Sequence, residues 1–330
     1  MIETRNIYGH RICVRTDDPI IAAGVEDVLG PFPVAAPGEG PVLEIAMQAV
    51  QASADIGYSR SPSTVVVGEM PRRDIGLQGT LLREGERWII DCGLALIILD
   101  PAAGRADGWL VQPENQVSEF SAVFILISII ELLRSRDVYA IHCSALARDG
   151  QGILFIGRGG AGKTTACVAL TRAGYHCLSD DHPLLRVRDG KLELLAFPGR
   201  LFVADRTVAF FPELSAAGDK LRPGWRKRSF TLSDIAGYCA GESCHPAALI
   251  FPHIVDEDTS SLEPLSRARA LQELLPQTLL VMDPAMAARQ FQTISRLVHE
   301  TPAWRLNFGR DVERLPQLID QLTETSLAPT

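Results

Sequence analysis

The segment Gly157-Arg158-Gly159-Gly160-Ala161-Gly162-Lys163-Thr164-Thr165 fits the pattern GxxxxGK[ST] and is the part of the chain best suited to hold a phosphate chain. Its glycines let backbone N–H groups wrap phosphate oxygens, and a helix opening at Lys163 adds the positive end of its dipole. Lys163 would reach the β- and γ-phosphates of a nucleotide, and the Thr164 hydroxyl would hold Mg2+. One helix and one return strand later the chain reads Tyr175-His176-Cys177-Leu178-Ser179-Asp180-Asp181. If that strand lies next to the loop strand, both carboxylates arrive at the phosphate edge of the sheet. There one can hold Mg2+ or its water, and the other can accept the proton of an attacking hydroxyl. His142, at the end of the strand-like VYAI, is either a structural histidine or a further member of this site. Downstream, KLRPGWRKRSF gathers Lys220, Arg222, Arg226, Lys227 and Arg228. This is a solvated basic loop or a seat for a phosphate or a peptide carboxylate. Lys227 and Arg228 are the preferred ligands, because the apolar, strand-like SFTL follows them. Cys239-xxxx-Cys244-His245 departs from zinc-site spacing, so no metal is read there.

These residues need elements to carry them. GILFI is a strand running into the glycine loop, and residues 163–172 form a helix closed by Gly174. VYAIHCSALARDG and YHCLS read as strands on either side in sequence, AALIFPHIV as a later strand, and residues 266–275 and 284–297 as helices. The first hundred residues are β-rich instead, with candidate strands NIYGHRICVR, PVLEIAMQAV, STVVVGE and ALIILD. A hairpin is expected over Leu81–Ile90, and a Gly/Pro-rich loop over residues 30–41. Between the halves lies a helix over 118–136. Its apolar run Ala122–Ile130 is bounded by Glu119 and Glu131 and is too short to span a bilayer. The pattern predicts an α/β fold in two parts: a smaller β-rich domain over residues 1–115, and an α/β domain over 116–330 that includes the linking helix.

Composition sets outer limits. The chain has 330 residues, 46% of them hydrophobic and 22% charged, which is enough for two cores and excludes general disorder. With 32 Lys and Arg against 40 Asp and Glu the net charge is −8, which argues against a nucleic-acid partner held on a broad basic surface. Seven scattered cysteines, an odd number, do not form a disulfide framework. The first residues carry no apolar signal-type core. The expectation is a cytoplasmic protein without membrane or nucleic-acid partners.

Taken together, His142, Gly157–Thr164 and AGYHCLSDD resemble the catalytic domain of the HPr kinase/phosphorylase family. The likeness is specific over residues 138–190 and looser to residue 300. It implies a P-loop catalytic domain of the HPr kinase/phosphoenolpyruvate carboxykinase type, using ATP and Mg2+ to phosphorylate a serine. By that resemblance Lys163 and Asp180 are catalytic, Asp180 being the general base and, in reverse, the acid. Asp181 then acts on Mg2+ beside Thr164, and His142 organises the base and the phosphate. The family's Glu-x-Arg-Gly-Leu-Gly segment is missing, and Asp205, in AFPGRLFVADRTV, stands in that part of the chain. AIHCSALARDGQGILFIGRGGAGKTT, AFPGRL and LEPLSRARALQELLPQTL are similar to divergent members found with peptide biosynthesis, among them kinases of the C-terminal serine of lasso-peptide precursors. This resemblance implies a peptide or small-protein partner with an acceptor serine, recognised by the β-rich domain, and it admits a homo-oligomer. A true HPr kinase with an unusual N-terminal domain, and a nucleotide sensor that transfers nothing, are the alternatives.

Overall fold

The computed structural model describes the whole chain except residues 37, 39–41, 71–78, 116–118, 216–226, 233, 234, 236, 279–282 and 327–330. The fold is mixed α/β, in two units, Met1–Asp137 and Val138–Thr330.

In the first unit eight strands form one sheet: β1 (Ile2–Ile7), β2 (His10–Arg15), β3 (Val42–Val50), β4 (Val65–Met70), β5 (Gly79–Glu84), β6 (Arg87–Asp91), β7 (Ala95–Asp100) and β8 (Arg105–Val111). Their order is β1-β2-β3-β8-β7-β6-β5-β4. Two features differ from the sequence expectation. NIYGHRICVR is a hairpin, β1 with β2, because Tyr8 and Gly9 turn the chain at φ 51° and 95°. Helix α1 (Pro19–Leu29) was not anticipated. It starts where the Asp18 carboxylate accepts the N–H groups of Ile20 and Ile21, with Pro19 in the first turn. It carries the chain from β2 to β3, which lie parallel and so need a crossover.

Helix α2 (Glu119–Arg134) is the linking helix. It packs against α1 and against β3, β7 and β8, burying Phe124, Ile125, Ile129, Leu132 and Leu133. Burial of that apolar face assigns the helix to the first unit, so the division falls at 137/138 rather than at 115/116. A buried charge pair on it, Arg134 on Glu131, bonds Nη1 to Oε2 at 2.6 Å, so that each charge offsets the other away from water. Where α1 meets α2 the contact is backbone-close: a Cβ on Gly24 would stand 2.9 Å from the Ala122 nitrogen.

The second unit contains β9 (Tyr139–Ala140), β10 (Cys143–Arg148), β11 (Gln151–Ile156), β12 (His176–Ser179), β13 (Leu184–Arg188), β14 (Lys191–Leu195), β15 (Leu201–Ala204), β16 (Lys227–Phe230), β17 (Cys239–Ala240), β18 (Ser243–Ile254), β19 (Ser261–Pro264) and β20 (Ala303–Phe308). Its helices are α3 (Lys163–Arg172), α4 (Asp205–Val208), α5 (Arg267–Leu274), α6 (Pro284–Glu300) and α7 (Leu315–Ser326). The main sheet runs β17-β12-β10-β11-β18-β14-β13-β9, with β20 beside β18, while β15 and β16 form a separate ribbon. Side chains alternate across β11. Ile153 and Phe155 enter a core with Val168 and Leu170 of α3 and Leu315 of α7. Leu154 and Ile156 enter another with Leu274 of α5 and Ile294 and Leu297 of α6. The central strand is therefore apolar on both faces, which makes it a fixed platform for whatever follows Ile156. Among the described residues no helix is long and apolar enough to cross a membrane.

The α1–α2 contact yields a first prediction. Gly24→Ala should lower stability by about 1–3 kcal/mol through overpacking, despite alanine's better helix propensity. A thermal melt unchanged or raised in the variant would contradict this packing.

Candidate functional site

The chain leaves β11 at Ile156, passes through the glycine loop and enters α3 at Lys163. Gly160 and Gly162 lie at φ 87° and 105°, where L side chains are disfavoured. At Gly162 space is also excluded, since a Cβ would come within 2.9 Å of the Phe308 ring. The Lys163 side chain folds back over the loop, and its ammonium donates to the carbonyls of Gly157 at 2.6 Å and Arg158 at 3.3 Å. The loop thus presents a lysine already held at its mouth, one residue before the Thr164 hydroxyl.

Strand β12, which carries the aspartates, is not the neighbour of β11 as expected; β10 lies between them. Because β10 is antiparallel to both, β11 and β12 still run the same way. Their C-terminal ends, and the start of β10, therefore meet at one edge. The expected strand VYAIHCSALARDG is broken at this edge into β9 and β10. In the break, the His142 N–H donates to the Gln277 carbonyl at 2.8 Å instead of extending the ladder. His142 is thereby brought beside the aspartates.

The two carboxylates have separate partners. Asp180 accepts from the Thr164 hydroxyl at 2.9 Å on one oxygen and from the Ser144 hydroxyl at 2.6 Å on the other. Asp181 lies between two imidazoles, His142 Nε2 at 3.2 Å and His182 Nε2 at 3.4 Å, one on each oxygen. The contacts pair Thr164 with Asp180 and His142 with Asp181; the roles that the resemblance implies, Asp181 on Mg2+ beside Thr164 and His142 organising the base and the phosphate, concern a bound nucleotide. Ser144 and His182 were missed. His182 directly follows the aspartates and could have been noticed. Ser144 had no signal, because its place depends on the register of β10 against β12.

Electrostatics separate the pair further. Burial pushes Asp180 up to about 6, helped by the Asp181 charge and opposed by the two hydroxyl bonds and Lys163. Partial loss of solvent also acts to raise Asp181, but His182 and His142 in their protonated forms, with Lys163 and Lys227, outweigh it and hold Asp181 below the usual carboxylate value. Burial lowers His142 to about 4 against the pull of Asp181, so its imidazole is neutral at pH 7. Lys163 is also lowered by burial, with both aspartates opposing.

Lys227 and Arg228 begin β16, which pairs with β15. The Lys227 charge acts on Lys163, His142 and Asp181, while Arg228 faces Asp205, Nε to Oδ1 at 3.3 Å. Lys220, Arg222 and Arg226 lie outside the described residues. Cys239 and Cys244 are on β17 and β18, and His245 Nδ1 is 3.0 Å from the Leu192 carbonyl. Among the described residues no three His, Cys, Asp or Glu side chains are grouped to hold a metal by themselves. Mg2+ asks for less than that, one or two carboxylates completed by substrate phosphates and water. The hydroxyl of Thr164 and the carboxylates of Asp180 and Asp181 are hard oxygen donors of that kind.

No family model matches the chain, and no curated protein matches it. Among solved structures it is similar to the Hpr(Ser) kinase/phosphatase from Coxiella burnetii, at 14% identity and a TM-score of 0.31 over 56% of this chain and 88% of that one. So loose an overlay carries neither fold nor activity across. What defines the class is internal: a mixed α/β unit in which a strand, a glycine loop and a helix meet two adjacent aspartates at one sheet edge.

The raised value of Asp180 has a stability consequence. The folded state favours its protonated form, so the stability it contributes is present below about pH 4 and lost as pH rises through about 6. In metal-free buffer, Asp180→Asn should gain on the wild type in melting temperature between pH 4 and 6 and keep that gain to pH 8. A difference independent of pH would refute the shift.

Proposed function

We propose that this protein is an ATP- and Mg2+-dependent kinase that transfers the γ-phosphoryl group to a serine hydroxyl of a peptide or small protein. The observation that carries the reading is the meeting of Lys163 and Thr164 with Asp180 and Asp181 at one sheet edge, tied by the Thr164–Asp180 bond. ATP supplies the phosphoryl group, and Mg2+ would offset its charge. The N–H groups of residues 157–165 would bind the phosphates, and Lys163 would exchange its carbonyl partners for β- and γ-oxygens. In the transfer the serine oxygen bonds to the γ-phosphorus as the bond to the β–γ bridging oxygen breaks. The serine proton passes to a carboxylate, and ADP leaves with the electron pair.

Partners suggest which carboxylate does which. Both oxygens of Asp180 are engaged by hydroxyls, one of them Thr164, which suits the Mg2+ side. Asp181 has a side chain 43% exposed between two histidines, which suits proton acceptance from an incoming hydroxyl. One observation favours the reverse division: a carboxyl near pH 6, as at Asp180, is the better base near neutrality. Magnesium titrations separate the two. The variant lacking the metal-side carboxylate should need more Mg2+ for half-maximal rate. The variant lacking the base should lose kcat with its Mg2+ requirement unchanged. If Asp180→Asn and Asp181→Asn both transfer at the wild-type rate, neither assignment stands.

The finer reading of the acceptor, the C-terminal serine of a lasso-type precursor peptide, rests on the sequence resemblance. Incubation with ATP, Mg2+ and either a peptide ending in serine or HPr, followed by mass spectrometry, tests it. One phosphoryl group on the peptide supports the proposal, and Lys163→Ala should reduce its formation on the order of 10²–10³-fold. Labelling of HPr alone would replace the peptide by that protein. Tight ATP binding with no phosphorylated product would overturn the kinase in favour of a sensor.

A further inference from the structure

Helix α4 is one turn long, yet three consecutive side chains tie it to the glycine loop and its surroundings. Asp205 faces Arg228 of β16. The Thr207 hydroxyl meets that of Thr165, in the first turn of α3, at 2.8 Å, with both residues buried. Between them Arg206 reaches back to the loop, where its Nη2 donates to the Gly160 carbonyl at 2.5 Å. A Cβ on Gly160 would stand 3.1 Å from the same nitrogen. Arg206 is exposed, and among the described residues it forms no ion pair. A guanidinium has five donors in a rigid fork suited to phosphate oxygens. Here one of them rests on a neutral carbonyl in the middle of the loop. The anchors on either side, at Asp205 and Thr207, hold the backbone of α4 while leaving the arginine head free to change partner.

We propose that Arg206 is a catalytic residue of the transfer, a guanidinium supplied by the chain itself that leaves the Gly160 carbonyl for the γ-phosphoryl oxygens of a bound nucleoside triphosphate. The proposal rests on the kinase reading above and adds a residue to it. As the serine oxygen–phosphorus bond forms and the bridging bond breaks, negative charge is spread over the non-bridging oxygens. Arg206 stabilises that charge by hydrogen bonds and exchanges no proton. Lys227 would be a second cation on the same side: its register partner in the ribbon is Ala204, two residues before Arg206. An arginine that only braces the loop would behave differently. A brace serves every nucleotide equally, whereas a γ-phosphoryl ligand distinguishes a triphosphate from a diphosphate.

Calorimetric titration of the full chain with ADP and with the non-hydrolysable triphosphate AMP-PNP, each with Mg2+, separates a γ-phosphoryl ligand from a brace without reference to activity. Arg206→Ala should weaken AMP-PNP about tenfold or more and leave ADP within about twofold, with Arg206→Lys intermediate. Slow hydrolysis of ATP to phosphate, which needs no acceptor peptide, should fall on the order of 10³-fold in Arg206→Ala. Thermal melts of Arg206→Ala, Arg206→Lys and Arg206→Gln establish that the fold is retained. Equal weakening of both ligands, or no change in either, overturns the role of Arg206 while leaving the nucleotide site standing. Failure of the wild type to bind either nucleotide overturns both this proposal and the kinase reading.

Discussion

One hydrogen bond organises the candidate site: the Thr164 hydroxyl on the Asp180 carboxylate. It joins the first turn of α3, the helix that follows β11, to the end of β12, and in the sheet β10 separates these two strands. Thr164 follows a loop that can turn only through glycines at positive φ, and Asp180 follows a strand that must run parallel to β11. If either the loop or the strand order changed, the two groups would not meet. The Ser144 hydroxyl, from the intervening strand, holds the other oxygen of Asp180. All three strands at this edge therefore contribute to one small polar network, and such a network is worth most when every member is satisfied.

Around this bond the structure arranges charge unequally. Two adjacent aspartates would repel if both were equally solvated and equally ionised. Here burial raises Asp180, while Lys163 and Lys227, with His182 and His142 in their protonated forms, hold Asp181 low. Neighbours in sequence are thereby given different protonation tendencies by different surroundings, the condition under which a carboxylate pair can divide its chemistry. The cations come from distant parts of the chain. Lys227 arrives on the β15–β16 ribbon, and the short helix after β15 brings Arg206 to the loop. The ribbon is thus as much a part of the site's electrostatics as the main sheet.

Legibility followed locality. The strand, glycine loop and α3 were readable because GILFI, the glycines and the alternation to helix all lie within one stretch. The Asp180-Asp181 pair and the strand before it were equally plain. Helix α1 was missed although Asp18 and Pro19 mark its start, since a β-rich surrounding pattern masked a short amphipathic segment. The boundary of the first unit is not legible, because an apolar helix between two units does not declare which core it joins, and packing against α1 and three strands decides it. The hydrogen-bond partners of the two aspartates are not legible in the sequence for a similar reason. Adjacent side chains diverge at a strand end, and their directions depend on pleat and register.

By itself the sequence determined the residue types of the site, the order of the elements that bear them, and an acidic two-part chain. These follow from short-range rules: φ preferences of glycine, helix and strand periodicity, and the proximity of residues along the chain. Tertiary structure decided what those rules cannot reach. It inserted β10 between β11 and β12, interrupted the strand at His142, brought Ser144 to Asp180, and set Arg206 on the carbonyl of Gly160. Each of these is a contact between segments far apart in the chain, chosen by strand pairing and core packing rather than by local preference. The chemistry open to the loop and the aspartates depends on those distant partners.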